Sequence, residues 1–216
     1  MIAPYHLYPT SGSDTVVYMI VPMHVAGLDQ LAKKFAVNLV EVIVSNWDDD
    51  LTPWPAAGVF PGDPDFKGLA AQTLDQLRTG IMPEVEDGIN VRRRQFVGIS
   101  LSGLFAVWAW MQGDDFDDIA SISGSFWYDQ FTEWLATQPV SKQGMAYLSL
   151  GNKEGATKVQ RYKSVVARTA EVEKILRYDG ADVVFEWTQG NHFAPMLPRI
   201  EMALNQLEAP RDQGAR

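Results

Sequence analysis

The chain contains no cysteine, so disulfides, thiolate metal sites and a cysteine nucleophile are all excluded. Histidine is nearly as scarce. His6, His24 and His192 are the only three in 216 residues, which leaves few candidates for histidine-dependent chemistry. Positive charge is also in short supply, with 18 Lys and Arg against 27 Asp and Glu and a formal net charge of −9. A surface this acidic repels phosphate backbones and argues against a nucleic-acid partner. Long hydrophobic runs are missing: the longest, such as 16–23, fall far short of the roughly 20 residues that a membrane span needs. The opening residues, MIAPYHLYPTSGSD, carry neither a basic stretch nor a long apolar one. They do not read as a secretory signal, so a cytoplasmic protein with no membrane partner is the default expectation.

What is present is the make-up of a folded domain. Hydrophobic residues are 46% and charged residues 21%, close to the average for soluble domains, which excludes disorder as the main state. The length suits one domain with a substantial core. Short apolar runs rich in β-branched residues alternate with stretches at helical spacing. TVVYMIVPM (15–23), NLVEVIVS (38–45), RQFVGIS (94–100), IASIS (119–123), MAYLSLG (145–151) and DVVFEWTQG (182–190) read as strands. Helices are expected at 28–36, 69–86, 101–113, 129–138, 159–178 and 195–208, the fifth ending at Gly180 as a helix-terminating glycine. Segment 47–68 is dense in Pro, Gly and Asp and reads as a long ordered loop. No repeat, low-complexity segment or linker divides the chain.

Strands separated by helices imply right-handed crossovers and a mostly parallel sheet with helices on both faces. We expect one α/β domain over 1–208, a frayed tail at 209–216 and no large lid.

The strongest local signal is Gly98-Ile99-Ser100-Leu101-Ser102-Gly103, between a strand and a helix. A serine nucleophile on such a turn must leave the sheet edge sharply, so the residues two before and two after it need little or no side chain. Gly98 and Ser102 meet that need, and Gly103 lets the helix pack close. The helix N-terminus adds N–H groups where an oxyanion forms. The bland alternative is an ordinary tight turn; a second alternative makes Ser102 the nucleophile.

A serine needs a base from elsewhere in the chain. His192, in Gln189-Gly190-Asn191-His192-Phe193, follows the last strand and opens at the same sheet edge, where parallel strands all end. The acid is expected in the loop after 145–151, where Glu154 is the only carboxylate and would orient His192. The alternatives there are a solvated glutamate beside Lys153, or a Ser–His dyad without an acid. For the oxyanion hole, Leu101 N–H is one donor. The loop Met23-His24-Val25-Ala26-Gly27 is expected to supply the second; His24 itself either reaches the pocket or is an ordinary loop residue. Trp54, Phe126 and Trp127, with Trp47, suggest an apolar acyl or aryl site, and Ser121, Ser123 and Ser125 suggest its polar lining. The acidic clusters Asp48-Asp49-Asp50 and Asp114-Asp115…Asp117-Asp118 follow no metal-site pattern and read as solvated loop charges. No metal and no cofactor is expected.

The segments GISLSGLFA (98–106), SISGSFWY (121–128), YLSLGNKE (147–154), GNHF (190–193) and DLTPWPA (50–56) together resemble the esterase family of α/β-hydrolases. That family includes enterochelin-type siderophore esterases, S-formylglutathione hydrolase and feruloyl esterases. The resemblance implies an α/β-hydrolase fold with Ser100 as nucleophile, His192 as base and Glu154 as acid, acting on a small-molecule ester through an acyl-enzyme. The short chain implies a small, fairly open site. Rivals are a thioesterase, peptidase or acyltransferase on the same apparatus, and a non-catalytic binding protein with the same fold. A homodimer is permitted but not implied.

Overall fold

The computed structural model describes residues 3–138 and 143–209. The expected tail therefore lies outside the described residues from position 210 onward. Seven strands form one sheet in the order β1-β3-β2-β4-β5-β6-β7. β1 (Tyr5–Tyr8) runs antiparallel to β3 at one edge. β2 (Thr15–Val21), β3 (Asn38–Ile43), β4 (Arg93–Ile99), β5 (Asp118–Ile122), β6 (Met145–Gly151) and β7 (Asp182–Thr188) are parallel.

β2 and β6 are buried at every position. Their unbroken apolar runs suit strands covered on both faces. β1 escaped the sequence reading because YHLY is short, lies between Pro4 and Pro9, and carries no apolar run.

The helices divide between two core layers. On one face, α1 (Leu28–Phe35) and α9 (Met196–Leu207) pack Leu28, Leu31, Ile200 and Leu204 against Val17, Val97 and Tyr147. On the other face lie α3 (Ala70–Gln76), α4 (Met82–Glu86), α5 (Leu101–Trp110), α6 (Phe131–Leu135) and α8 (Val165–Tyr178). α5 is buried along its whole length, as an apolar helix between sheet and outer layer must be.

Two expected helices are broken. The stripe Leu74, Leu77, Ile81 and Val85 is buried as its spacing requires. However, a π-helical turn at Leu77–Ile81 separates α3 from α4. Pro83, at the start of α4, has no N–H and its ring crowds the carbonyl four residues back, which the wider turn relieves. The expected helix over 159–178 is α7 (Gln160–Lys163) followed by α8, interrupted where the Ser164 hydroxyl donates back to Arg161 O at 2.7 Å. Gly180 follows α8 in the left-handed conformation (φ 93) and donates to Arg177 O. The 47–68 segment is irregular except for the single turn α2 (Trp47–Asp50) and a bridge from Ala56 to Phe66.

Candidate active site

The parallel strands deliver four polar side chains to one sheet edge. β4 runs straight into α5 at Ser100, whose backbone is left-handed (φ 61, ψ −124). A serine in that region costs on the order of 1–3 kcal/mol, so the surrounding packing must hold it there. The neighbours show why only small residues fit. A Cβ on Gly98 would lie 2.0 Å from the Ser102 carbonyl oxygen, and one on Gly103 would lie 2.8 Å from Ser121 Oγ. Ser102 is fully buried and its hydroxyl has no partner among the described residues, which removes it as the alternative nucleophile. Ser102→Ala is therefore expected to leave stability unchanged or raise it by up to about 1 kcal/mol, because it deletes an unpaired buried hydroxyl. A thermal melt checks this, and a lower Tm would reveal a hidden partner.

The loops after β6 and β7 are stitched together. Asn152 N–H and Lys153 N–H donate to Thr188 O and Gly190 O, and Gly190 N–H donates to the Asn152 side chain at 3.1 Å. The approach is close enough that a Cβ on Gly151 would sit 2.7 Å from Gly190 O. These contacts fix Glu154 relative to His192. His192 Nδ1 lies 3.0 Å from Glu154 Oε2, and His192 Nε2 lies 3.0 Å from Ser100 Oγ. With Nδ1–H donating to the carboxylate, Nε2 is left to accept the Ser100 proton. The sequence leaves open a solvated, surface-exposed Glu154. Its side chain is in fact 3% exposed, against 35% for His192.

The carboxylate is held from behind as well. Glu154 Oε1 accepts hydrogen bonds from the Ser123 hydroxyl, from Gly151 N–H at 2.8 Å and from Arg199 Nη2 at 3.3 Å. Burial acts to raise the Glu154 pKa, but the bonds from His192, Ser123 and Gly151 outweigh it and leave the group below the ordinary glutamate value. A carboxyl depressed in this way adds stability that is complete above its unfolded pKa of about 4.3 and disappears as the pH falls through the folded value. Arg199 was not foreseen. It lies on the buried stripe of α9 with Ile200, Ala203, Leu204 and Leu207. A lone charge at such a spacing is the signal that sequence carries for it.

Several expected site residues stand elsewhere or do something different. His24 does not reach the cavity. Its loop turns toward β1 and β3, where His24 Nδ1 meets Glu41 Oε2 at 2.9 Å and Val25 N–H donates to Glu41 Oε1 at 2.6 Å. Trp54 packs against Phe131, Trp134 and Tyr128 and donates its indole N–H to Asp129 O, so it fastens the Pro-Trp loop rather than facing the cavity. Phe126 is buried and stacked on Phe131. Ser121 is buried and donates to Gly103 O at 2.8 Å instead of lining the cavity. Ser123 borders the cavity, but its hydroxyl is committed to Glu154. Trp127 lines the cavity as expected, and so does Ser125, whose Oγ is 3.4 Å from Ser100 Oγ.

The cavity is larger than a short chain suggested, about 1220 Å³, because the 47–68 loop builds one of its walls. The acidic clusters are more than solvated charge. Asp49 binds Lys67 through both backbone and side chain, and Asp48, Asp63 and Asp65 face the cavity. Burial, with Asp49 and Asp63 nearby, raises the Asp48 pKa. At the opposite end of the sheet, Asp118 accepts from Met145 N–H and pairs with Arg93, and Asp115 pairs with Arg78.

Sheet order, the strained serine between β4 and α5, and the serine–histidine–glutamate line after β4, β6 and β7 define an α/β-hydrolase fold with its three polar groups in register. Known structures share that fold. A serine hydrolase from Shewanella oneidensis described as IroE-like superimposes with a TM-score of 0.76 at 17% identity, covering 94% of this chain and 73% of its own. The siderophore hydrolase EstB of Aspergillus nidulans gives 0.74 at 16%, covering 96% and 92%. The BES protein of Bacillus cereus gives 0.70 at 16%, covering 96% and 90%. In sequence, the chain is 32% identical over 149 residues to the uncharacterized protein YbbA of Bacillus subtilis (strain 168). That match takes in 66% of this chain and 59% of YbbA, so it spans less than two thirds of the relative. No family model matches the chain. Among the described residues, no helix is long and apolar enough to cross a membrane.

Proposed function

We propose that this protein is a serine-dependent carboxylic ester hydrolase working through an acyl-enzyme. The observation that carries the reading is the unbroken line Ser100 Oγ, His192 and Glu154, with 3.0 Å at each junction. Ser100 Oγ attacks the ester carbonyl and its proton passes to His192 Nε2. Glu154 stays ionised and stabilises the imidazolium. Leu101 N–H, at the start of α5, is the first oxyanion donor in this reading. The second donor in this reading is a backbone N–H facing the same cavity, which none of residues 23–27 lines. His192 then protonates the leaving alkoxide. Water, deprotonated by the same imidazole, attacks the acyl-enzyme, releases the acid and restores Ser100. Ser100, His192, Glu154 and Leu101 are thus the working groups, and the chemistry calls for neither metal nor cofactor.

The strain at Ser100 supports a catalytic reading over a non-catalytic pocket, since a binding protein gains nothing from holding a serine at φ 61. Neighbours of the same fold are described as siderophore hydrolases and as a ferulic acid esterase. The substrate in this reading is a dissolved small-molecule ester met in the cytoplasm. Its acyl or aryl part lies along Trp127 and Tyr162, and the cavity has room for more than a minimal ester. The acidic wall disfavours strongly anionic substrates.

The test is hydrolysis of p-nitrophenyl acetate, butyrate and octanoate beside matched thioester and anilide substrates. Ester turnover well above anilide turnover is expected. Faster thioester than ester turnover would transfer the reading to a thioesterase. Inertness toward every ester by folded protein would overturn it.

A further inference from the structure

Two of the three histidines meet outside the lining of the Ser100 cavity, around a buried carboxylate. His6 on β1 stands directly opposite Glu41 on β3 in the antiparallel register. His24 reaches the same point from the loop before α1, its ring edge-on to that of His6 with 5.8 Å between centroids. Glu41 is fully buried, and the basic side chain beside it among the described residues is His24, itself 58% exposed. Burying a carboxylate with no Lys or Arg beside it is costly, so the site asks for positive charge.

The geometry suits an ion. The ligand atoms of His6, His24 and Glu41 all lie within 4.8 Å of one another. Zinc binds imidazole nitrogen and carboxylate oxygen at about 2.0–2.2 Å, so two of its ligand atoms sit roughly 3 Å apart. His24 Nδ1 and Glu41 Oε2 are already at 2.9 Å. The His6 ring is exposed, and the third bond requires its nitrogen to move closer to the other two ligand atoms. The carboxylate is also held from outside: Val25 N–H donates to Oε1 and the Tyr8 hydroxyl to Oε2 at 2.9 Å. Such outer hydrogen bonds orient carboxylate ligands in metal sites. Two imidazoles favour a zinc-type ion over magnesium or calcium.

We propose that His6, His24 and Glu41 form a site for a zinc-type divalent ion, with water in the remaining positions. The ion displaces the proton between His24 and Glu41 and cross-links edge strand β1 to the segment that enters α1. None of the three residues lines the cavity beside Ser100, so the role is structural and independent of the esterase reading.

The experiment is titration of the chelator-treated full chain with Zn²⁺ by calorimetry, with a thermal melt at each ratio. One ion per chain and a rise in Tm are expected. His6→Ala and His24→Ala should each weaken binding at least tenfold and abolish the Tm rise. His6 is exposed on an edge strand, so its variant should fold and keep basal ester turnover. His192→Ala, which removes the remaining histidine, should bind Zn²⁺ as wild type does. Binding lost in His192→Ala and kept in His6→Ala would overturn the proposal, as would wild-type affinity no greater than that of the His6→Ala/His24→Ala double variant.

Discussion

Ser100→Ala is expected to lower kcat/KM for p-nitrophenyl butyrate by roughly 10⁴-fold or more, the scale at which removing a triad serine leaves only binding and oxyanion stabilisation. His192→Ala should cost nearly as much, and the double variant little beyond either single one, because the two groups act as one unit. The fold should survive. Ser100 sits in a strained backbone region that alanine tolerates no worse than serine, and its Oγ hydrogen-bonds, among the described residues, with His192 and Ser125. Circular dichroism and Tm close to wild type, together with the rate loss, therefore separate chemistry from folding. A Ser100→Ala enzyme within tenfold of wild type would remove this serine from the mechanism and direct attention to Ser125, whose hydroxyl lies 3.4 Å from that of Ser100.

Glu154→Gln is expected to do two things at once. Replacing the carboxylate by an amide keeps the shape but permits the wrong His192 tautomer and leaves the imidazolium unsupported, which should cost roughly 10²–10⁴-fold in kcat. The same change leaves Arg199 buried beside a neutral partner. Arg199 is 4% exposed and its Nε and Nη1 already lack partners among the described residues. Removing one member of a buried ion pair typically costs about 3–5 kcal/mol, so a marked fall in Tm should accompany the fall in rate. Adding Arg199→Met should recover part of the Tm but none of the rate. A Glu154→Gln enzyme with wild-type kcat would favour a Ser–His dyad. One with wild-type Tm would contradict the buried pair.

The contrast between these groups and the misplaced ones shows what a sequence can carry. Ser100 was legible because the elbow is a local demand: Gly98, Ser102 and Gly103 are small for reasons that act within a few residues. His192 and Glu154 were legible because parallel strands end at one edge, so chain order alone brought their loops to the serine. His24 was not. The path of its loop depends on Glu41 and on Tyr8 of β1, and that strand was invisible between its prolines. Trp54 and Phe126 show that an aromatic near a site carries no mark of facing it. Both satisfy their rings against Phe131 instead. Arg199 acts from α9, late in the chain, on a carboxylate in the loop after β6, a pairing that only the folded packing of α9 on the sheet creates. The helix breaks follow the same division: Pro83 announced one, whereas the Ser164 back-bond depends on a rotamer.

The central claim is that Ser100 is a nucleophile activated by His192. The most direct measurement is intact-protein mass spectrometry after exposure to a fluorophosphonate, with peptide mapping of the adduct. A single phosphonyl group on Ser100 is expected in the wild type and none in Ser100→Ala or, on the same timescale, in His192→Ala. An unmodified wild type after prolonged exposure, or an adduct on Ser102 or Ser125 with Ser100 untouched, would contradict it.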